Sequence, residues 1–368
     1  MASHIARLRV LAAIAVLVAG CQPAGPTSAP SLTATSGPPT SPPASAAPPP
    51  TAPATDAASP FPSLVSLELD ETGPIIQPGD GPAGYFYSLP AAAARDRDGG
   101  YVLFTVWFGA GDADVMITVS RSVDGRTWDV GRTPAFTLAI GSADPGPIPA
   151  AAVQLDDGSW LLYGWSADDD VGSAFSSWRA SAPEPEGPWT LDDPRVLEPG
   201  PAGAWDSLMA AAASVSIVDD QFLMWYEGET PGSEVRGDIG LATSPDGLAW
   251  EKAPEPVIPR GICGPATGIA VEQAQVERVG DGYVALFGGF GAARADMDLY
   301  AAVSADGRSW TCASPEPLLR TEDIPSSEGI HTMASLPLGD GRIGLVIETL
   351  NGSRSELWWA TVEVTGRA

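Results

Sequence analysis

Histidine is nearly absent from this sequence of 368 residues; there are two, His4 and His331. Cysteine is scarce, with only Cys21, Cys263 and Cys312. No CxxC pair or Cys/His cluster occurs, which argues against a zinc site; neither a metal nor a cofactor is expected. Basic residues are few, 19 Lys and Arg against 46 Asp and Glu, for a formal charge of −27. Nucleic acid needs a basic footprint and is excluded as a partner. The same charge excludes electrostatic adhesion of the folded part to anionic lipid. Helical periodicity of any length is missing after the first twenty residues, and the apolar run there, LAAIAVLVAG, is too short to span a bilayer.

That run belongs to a signal peptide over residues 1–20, with Arg7 and Arg9 in front of it. It ends in VAGC. A cysteine after small residues at this place resembles a bacterial lipoprotein signal, which implies a lipid on Cys21 and cleavage just before it. An ordinary secretory signal is the alternative. After Cys21, the rest of the 21–60 segment is almost only Pro, Ala, Ser, Thr and Gly, too polar and too small to offset the entropy of ordering. As extended polyproline II at ~3.1 Å per residue it would reach on the order of 100 Å. The folded domain is therefore expected over 61–368, as a monomer in the cell envelope outside the cytoplasm, with the membrane contacted only through the lipid. In that oxidising compartment Cys263 and Cys312 are a candidate disulfide, two buried thiols being the alternative.

The domain repeats. SVDGRTW (122–128), SPDGLAW (244–250) and SADGRSW (304–310) share one turn, and Trp189 in SAPEPEGPW completes a series of tryptophans every 60 or 61 residues. A second series of acidic turns ends at Asp98, Asp157, Asp220, Asp281 and Asp340, spaced by 59, 63, 61 and 59 residues, each followed by an apolar strand. Five copies at one period require a repeat architecture. Each copy reads as a small-residue strand, an Asp-Gly hairpin turn, a strand rich in Leu, Val, Trp and Tyr, a third strand, the SxDGxxW turn and a fourth strand. Four antiparallel strands repeated radially make a β-propeller blade. The fold class is all-β, a five-bladed β-propeller. The fifth copy ends at WWATVEV without a fourth strand, so FPSLVSLELD (61–70) is expected to supply it and close the ring.

Aspartates in the SxDGxxW turns (Asp124, Asp246 and Asp306) repeat with the blade and are assigned to it, each accepting backbone N–H groups across its turn. Their tryptophans should fill the space between neighbouring sheets. ADDDVG (167–172) fits no calcium loop.

Five such units, with DDG turns before aromatic strands and segments such as MWYEGETPGSEVRGDIGLATSPDGLAWEK, resemble the five-bladed propeller glycoside hydrolases: family 43, the invertase-type families and the family 130 phosphorylases. The resemblance covers about 65–366. It implies an active site on the propeller axis, with carboxylates near the starts of the innermost strands, and a carbohydrate partner. One such strand commonly begins Asp-Pro in those families. The equivalent positions, nine residues before each turn aspartate, are Leu89, Ile148, Ala211, Glu272 and His331. Leu89-Pro90 and Ile148-Pro149 keep the proline and lose the acid. Glu272 matches a general-acid glutamate, and Asp206 in AWDSLM is its candidate partner. Trp205, His331, Gln273, Gln275, Tyr85, Tyr87, Asp144 and Glu328 are candidate sugar contacts. Two alternatives stand beside a glycoside-processing enzyme. One is a ligand- or protein-binding propeller without catalysis. The other is a sialidase-like exo-glycosidase, although the turn is one residue short of the sialidase repeat and arginines are few.

Overall fold

The computed structural model describes residues 64–109, 115–135, 147–168, 174–232, 237–292, 294–352 and 354–365. The expected signal peptide, Cys21, the tether and Asp144 lie outside these residues.

The fold is all-β, as expected. A short strand β1 (Leu64–Leu69) comes first. The first antiparallel meander is β2 (Tyr85–Arg95), β3 (Tyr101–Gly109), β4 (Val115–Ser122) and β5 (Trp128–Asp129). The second is β6 (Ile148–Gln154), β7 (Trp160–Ala167), β8 (Phe175–Ala182) and β9 (Thr190–Leu197). The third is β10 (Met209–Val218), β11 (Gln221–Glu229), β12 (Asp238–Ser244) and β13 (Glu251–Lys252). The fourth is β14 (Ala270–Val279), β15 (Gly282–Gly291), β16 (Arg294–Ser304) and β17 (Trp310–Cys312). The last is β18 (Gly329–Gly339), β19 (Arg342–Asn351) and β20 (Arg354–Thr365), and β1 pairs antiparallel with β20, Leu64 opposite Thr365 and Leu69 opposite Ala360.

The second strand of each meander is nearly all apolar because both of its faces are covered. Trp160, Leu162 and Tyr163 of β7 point to opposite sides yet are all buried. The core is accordingly layered between meanders. One layer joins Phe104 to Trp160 and Trp178, another Tyr163 to Met224 and Tyr226, another Trp225 to Phe287 and Tyr300. A fourth joins Leu286 to Met333, Ile347 and Trp358 with Val65 of β1, and a fifth joins Leu103 and Trp107 to Val346 and Trp359. Each large side chain so buried contributes about 1.5–3 kcal/mol. The first strands pack side by side in chain order, and β18 lies against β2.

The SxDGxxW turns are built alike. Asp124 Oδ1 accepts the N–H groups of Arg126 and Thr127 at 2.9 and 2.7 Å, and Trp128 Nε1 donates to the Gly125 carbonyl at 2.8 Å. Asp246 and Asp306 repeat the pattern. The backbone donors hold the Asp124 carboxyl below its ordinary range. Three of the four tryptophans in the series meet an aromatic of the preceding meander: Trp189 on Phe104, Trp250 on Tyr163, Trp310 on Trp225. Cys263 and Cys312 form a disulfide, with Cα atoms 5.3 Å apart.

Candidate functional site

The five first strands converge on one cavity of about 100 Å³, and each supplies wall residues. Leu89, Ile148, Ala211, Glu272 and His331 all do so. The shared spacing from the acidic turns therefore located equivalent places in all five repeats. Each first strand is also irregular there. The register shifts between Pro90 and Ala92, Pro149 and Ala151, Ala212 and Ser214, Glu272 and Gln275, and Ile330 and Thr332. A bulge bends the strand and re-aims side chains next to it. His331 is itself the extra residue of the fifth bulge.

Glu272 is buried, 4% exposed, and it has company that sequence reasoning misses. Glu227 and Glu229, at the end of β11, line the same cavity, and one oxygen from each of Glu227, Glu229 and Glu272 lies within 4.8 Å of the others. The signal was in EGE: residues two apart on a strand share a face, so a charged pair closing an apolar strand marks a change of environment. The expected position lay on first strands alone, whereas these two sit on a second strand.

Three carboxylates this close cannot all ionise cheaply. Burial, and then the charge of Glu229, pushes the Glu227 carboxyl up to about 8, against a hydrogen bond from the Gln273 N–H. Such a cluster offers three hard oxygen ligands of the kind that calcium or magnesium takes. A single proton relieves the same repulsion.

The pair expected from sequence, Asp206 with Glu272, is not brought together. Asp206 does not line the cavity. It is 4% exposed and bound to Lys252, the only lysine of the chain, at 2.7 Å, and it accepts the Tyr226 hydroxyl at 3.1 Å. Trp205 stacks on Tyr226 with centroids 5.5 Å apart and covers Gly228, where an added Cβ would lie 2.1 Å from the indole. Both residues thus serve the third meander. The sequence could not show this, because Asp206 meets Lys252 only through tertiary packing.

Gln273 and Gln275 do line the cavity. The Gln273 N–H donates to Glu227 Oε2 at 3.1 Å and its Nε2 to the His331 carbonyl at 2.9 Å, with φ at +56°. Gln275 Nε2 donates to the Ala213 carbonyl at 3.2 Å, and its Oε1 accepts the Ser335 N–H at 3.2 Å. Both glutamines span the third, fourth and fifth meanders. Tyr85 packs with the layer containing Trp107, away from the cavity wall. Glu328 is exposed and accepts the Gly352 N–H at 3.0 Å, also off the wall.

His331 is joined to two groups. Its Nδ1 lies 2.9 Å from the Tyr87 hydroxyl and 2.9 Å from Glu348 Oε2. Glu348 is fully buried. Burial, then the Glu348 charge, holds the Tyr87 phenol well above its ordinary range. Glu348 was legible as the lone acid in the apolar run IGLVIETL, since a buried carboxylate needs a partner.

A second cavity, about 280 Å³, lies further along the same strands, with Ala150 and Gln275 common to both. Its wall includes Glu277, which burial pushes up to about 7, against a hydrogen bond from Ser335 Oγ at 2.6 Å.

No family model matches the chain, and no curated protein does. Solved structures do. A complex of BT0996 with RGII superposes with a TM-score of 0.63 at 18% identity, covering 83% of this protein and 94% of that one. Zg3597, a family 117 glycoside hydrolase of the marine bacterium Zobellia galactanivorans, gives 0.59 at 16%, over 82% and 92%. A thermostable family-43 glycoside hydrolase gives 0.58 at 17%, over 79% and 92%. The likeness is one of fold. At such identity it carries no residue roles across.

Proposed function

We propose that the five meanders are the blades of a β-propeller closed by β1, and that its axial cavity receives a glycosyl unit and cleaves the glycosidic bond. The observation that carries this reading is the set of three carboxylates on one cavity, where burial and then the Glu229 charge raise the proton affinity of Glu227. Glu227 is the acid: its carboxyl proton passes to the glycosidic oxygen as the C–O bond breaks. Glu272, which the resemblance would make the general acid, is here the nucleophile: its carboxylate forms a bond to the anomeric carbon. Water, giving a proton back to Glu227, then releases the sugar and restores both groups. Burial, and then the Glu229 charge, favours the proton on Glu227. One oxygen of each lies within 4.8 Å of the others, a spacing nearer to double displacement, with about 5–5.5 Å between carboxyls, than to single displacement, with about 6.5–9.5 Å, so the product should retain configuration. The glycoside hydrolase neighbours agree with a carbohydrate substrate. No arginine lines the cavity among the described residues, which disfavours a sialidase. The domain would act outside the cytoplasm, tethered through a lipid on Cys21.

A panel of aryl glycosides and polysaccharides tests the reading, with product anomers followed by proton NMR. Glu272→Gln and Glu227→Gln should each lower turnover at least about 100-fold. Turnover surviving both substitutions would remove the carboxylates from the chemistry. A second reading, a propeller that binds glycan without cleaving it, is favoured by Leu89-Pro90 and Ile148-Pro149, where the resembled families place Asp-Pro. Binding without turnover in the wild type would select it.

A further inference from the structure

We infer that Glu348 and Tyr87 fix His331 in its Nδ1–H tautomer, so that Nε2 presents a lone pair to a hydroxyl donor of the bound ligand; this rests on the glycan reading above. His331 lies on the cavity wall, placed there by the bulge in β18. Its Nδ1 is 2.9 Å from a carboxylate oxygen of Glu348. A carboxylate oxygen accepts, so the proton between them sits on Nδ1. The phenol of Tyr87 keeps its own proton, because burial and the Glu348 charge both oppose its loss, and it also hydrogen-bonds Glu348. With that proton directed to Glu348, the phenol oxygen is an acceptor toward Nδ1.

A neutral imidazole has one N–H, and here Nδ1 carries it. Nε2 is then an acceptor. It is buried, and it has no hydrogen-bond partner among the described residues. A buried acceptor of this kind is costly unless a donor meets it. The carboxylates Glu227, Glu229 and Glu272 on the same wall accept when ionised, so the site is rich in acceptors and suits a ligand bearing several hydroxyl donors. A sugar hydroxyl fits and a deoxy position does not; sites built to bond a hydroxyl reject analogues lacking it by large factors. Glu348 and Tyr87 act through His331 and are positioning residues, comparable to the carboxylate that sets the imidazole tautomer in a Ser-His-Asp triad.

Histidine ¹⁵N-labelling tests this directly, since His4→Gln in the full chain leaves His331 as the sole reporter. The ligand-free protein should show the proton on Nδ1. Glu348→Gln should populate Nε2–H with the circular dichroism spectrum retained, and Glu348→Asp should restore Nδ1–H in part. Titration with arabinose, xylose, mannose and galactose should move the Nε2 resonance for at least one sugar, with affinity about tenfold or more weaker in Glu348→Gln. Nε2–H in the ligand-free wild type overturns the inference and leaves the glycan reading standing. A sugar that binds by isothermal titration calorimetry without moving Nε2 does the same. If no sugar binds by calorimetry and none moves Nε2, the glycan reading falls and takes the inference with it.

Discussion

The backbone N–H of Gln273 donates to Glu227 Oε2 across 3.1 Å, tying the fourth meander to the third at the cavity wall. This bond favours the ionised form of Glu227, and it is outweighed. Burial and Glu229 still push the carboxyl up from 4.5 to about 8.

The sign of the resulting pH dependence follows. A carboxyl whose proton affinity is raised in the native state keeps its proton where the unfolded chain has released it, so Glu227 should cost the protein stability as pH rises from about 4.5 toward about 8. Thermal midpoints of the wild type and Glu227→Gln should diverge between pH 5 and pH 8, the wild type losing more. Glu277, pushed up to about 7, acts with the same sign. If Glu227 is the acid of the reaction, kcat/KM should also fall above about pH 8. Parallel stability curves for wild type and variant would show that Glu227 ionises normally.

Asp206 and Lys252 should separate stability from activity. Their 2.7 Å ion pair is buried on the carboxylate side, 5% exposed against 24% for the lysine. Asp206→Ala leaves a partly buried ammonium and should destabilise by about 2–4 kcal/mol in urea titrations. Turnover of the folded variant should stay within about twofold of wild type. A loss as large as that of Glu272→Gln would return Asp206 to the chemistry.

Two glycines of positive φ make a controlled comparison for the turns. A Cβ at Gly247, φ +72°, would lie 2.3 Å from the Tyr163 hydroxyl of the preceding meander, whereas one at Gly232, φ +68°, meets nothing within 4 Å. Gly232→Ala should cost about 1–2 kcal/mol from the left-handed backbone alone. Gly247→Ala should cost clearly more, because it also displaces Tyr163, whose hydroxyl donates to the Gly247 carbonyl at 3.1 Å. Equal losses would show that the contact between meanders adds nothing.

Removing residues 61–70 deletes β1 and the outer partner of β20. It also strips Val65 from its core layer and exposes an unpaired strand edge. The thermal midpoint should drop by about ten degrees or more, and the truncated protein should aggregate in light scattering. An unchanged midpoint would sink the role of β1 in closure.

The sequence by itself determined the strand order, the turn chemistry and the period, because these are local. Alternation, Asp-Gly dipeptides and tryptophans at fixed offsets act within a few residues of each other, and counting nine back from each acidic turn reached the cavity in all five repeats. Only the tertiary structure decided which carboxylates meet. Glu227 and Glu272 are 45 positions apart and on different meanders, and His331 finds Tyr87 across the junction of the last meander with the first. Asp206 and Glu272 look alike in the sequence; Lys252, placed beside Asp206 by the fold, tells them apart. Burial and proximity between distant segments set proton affinity, and neither is a property of any short stretch of chain.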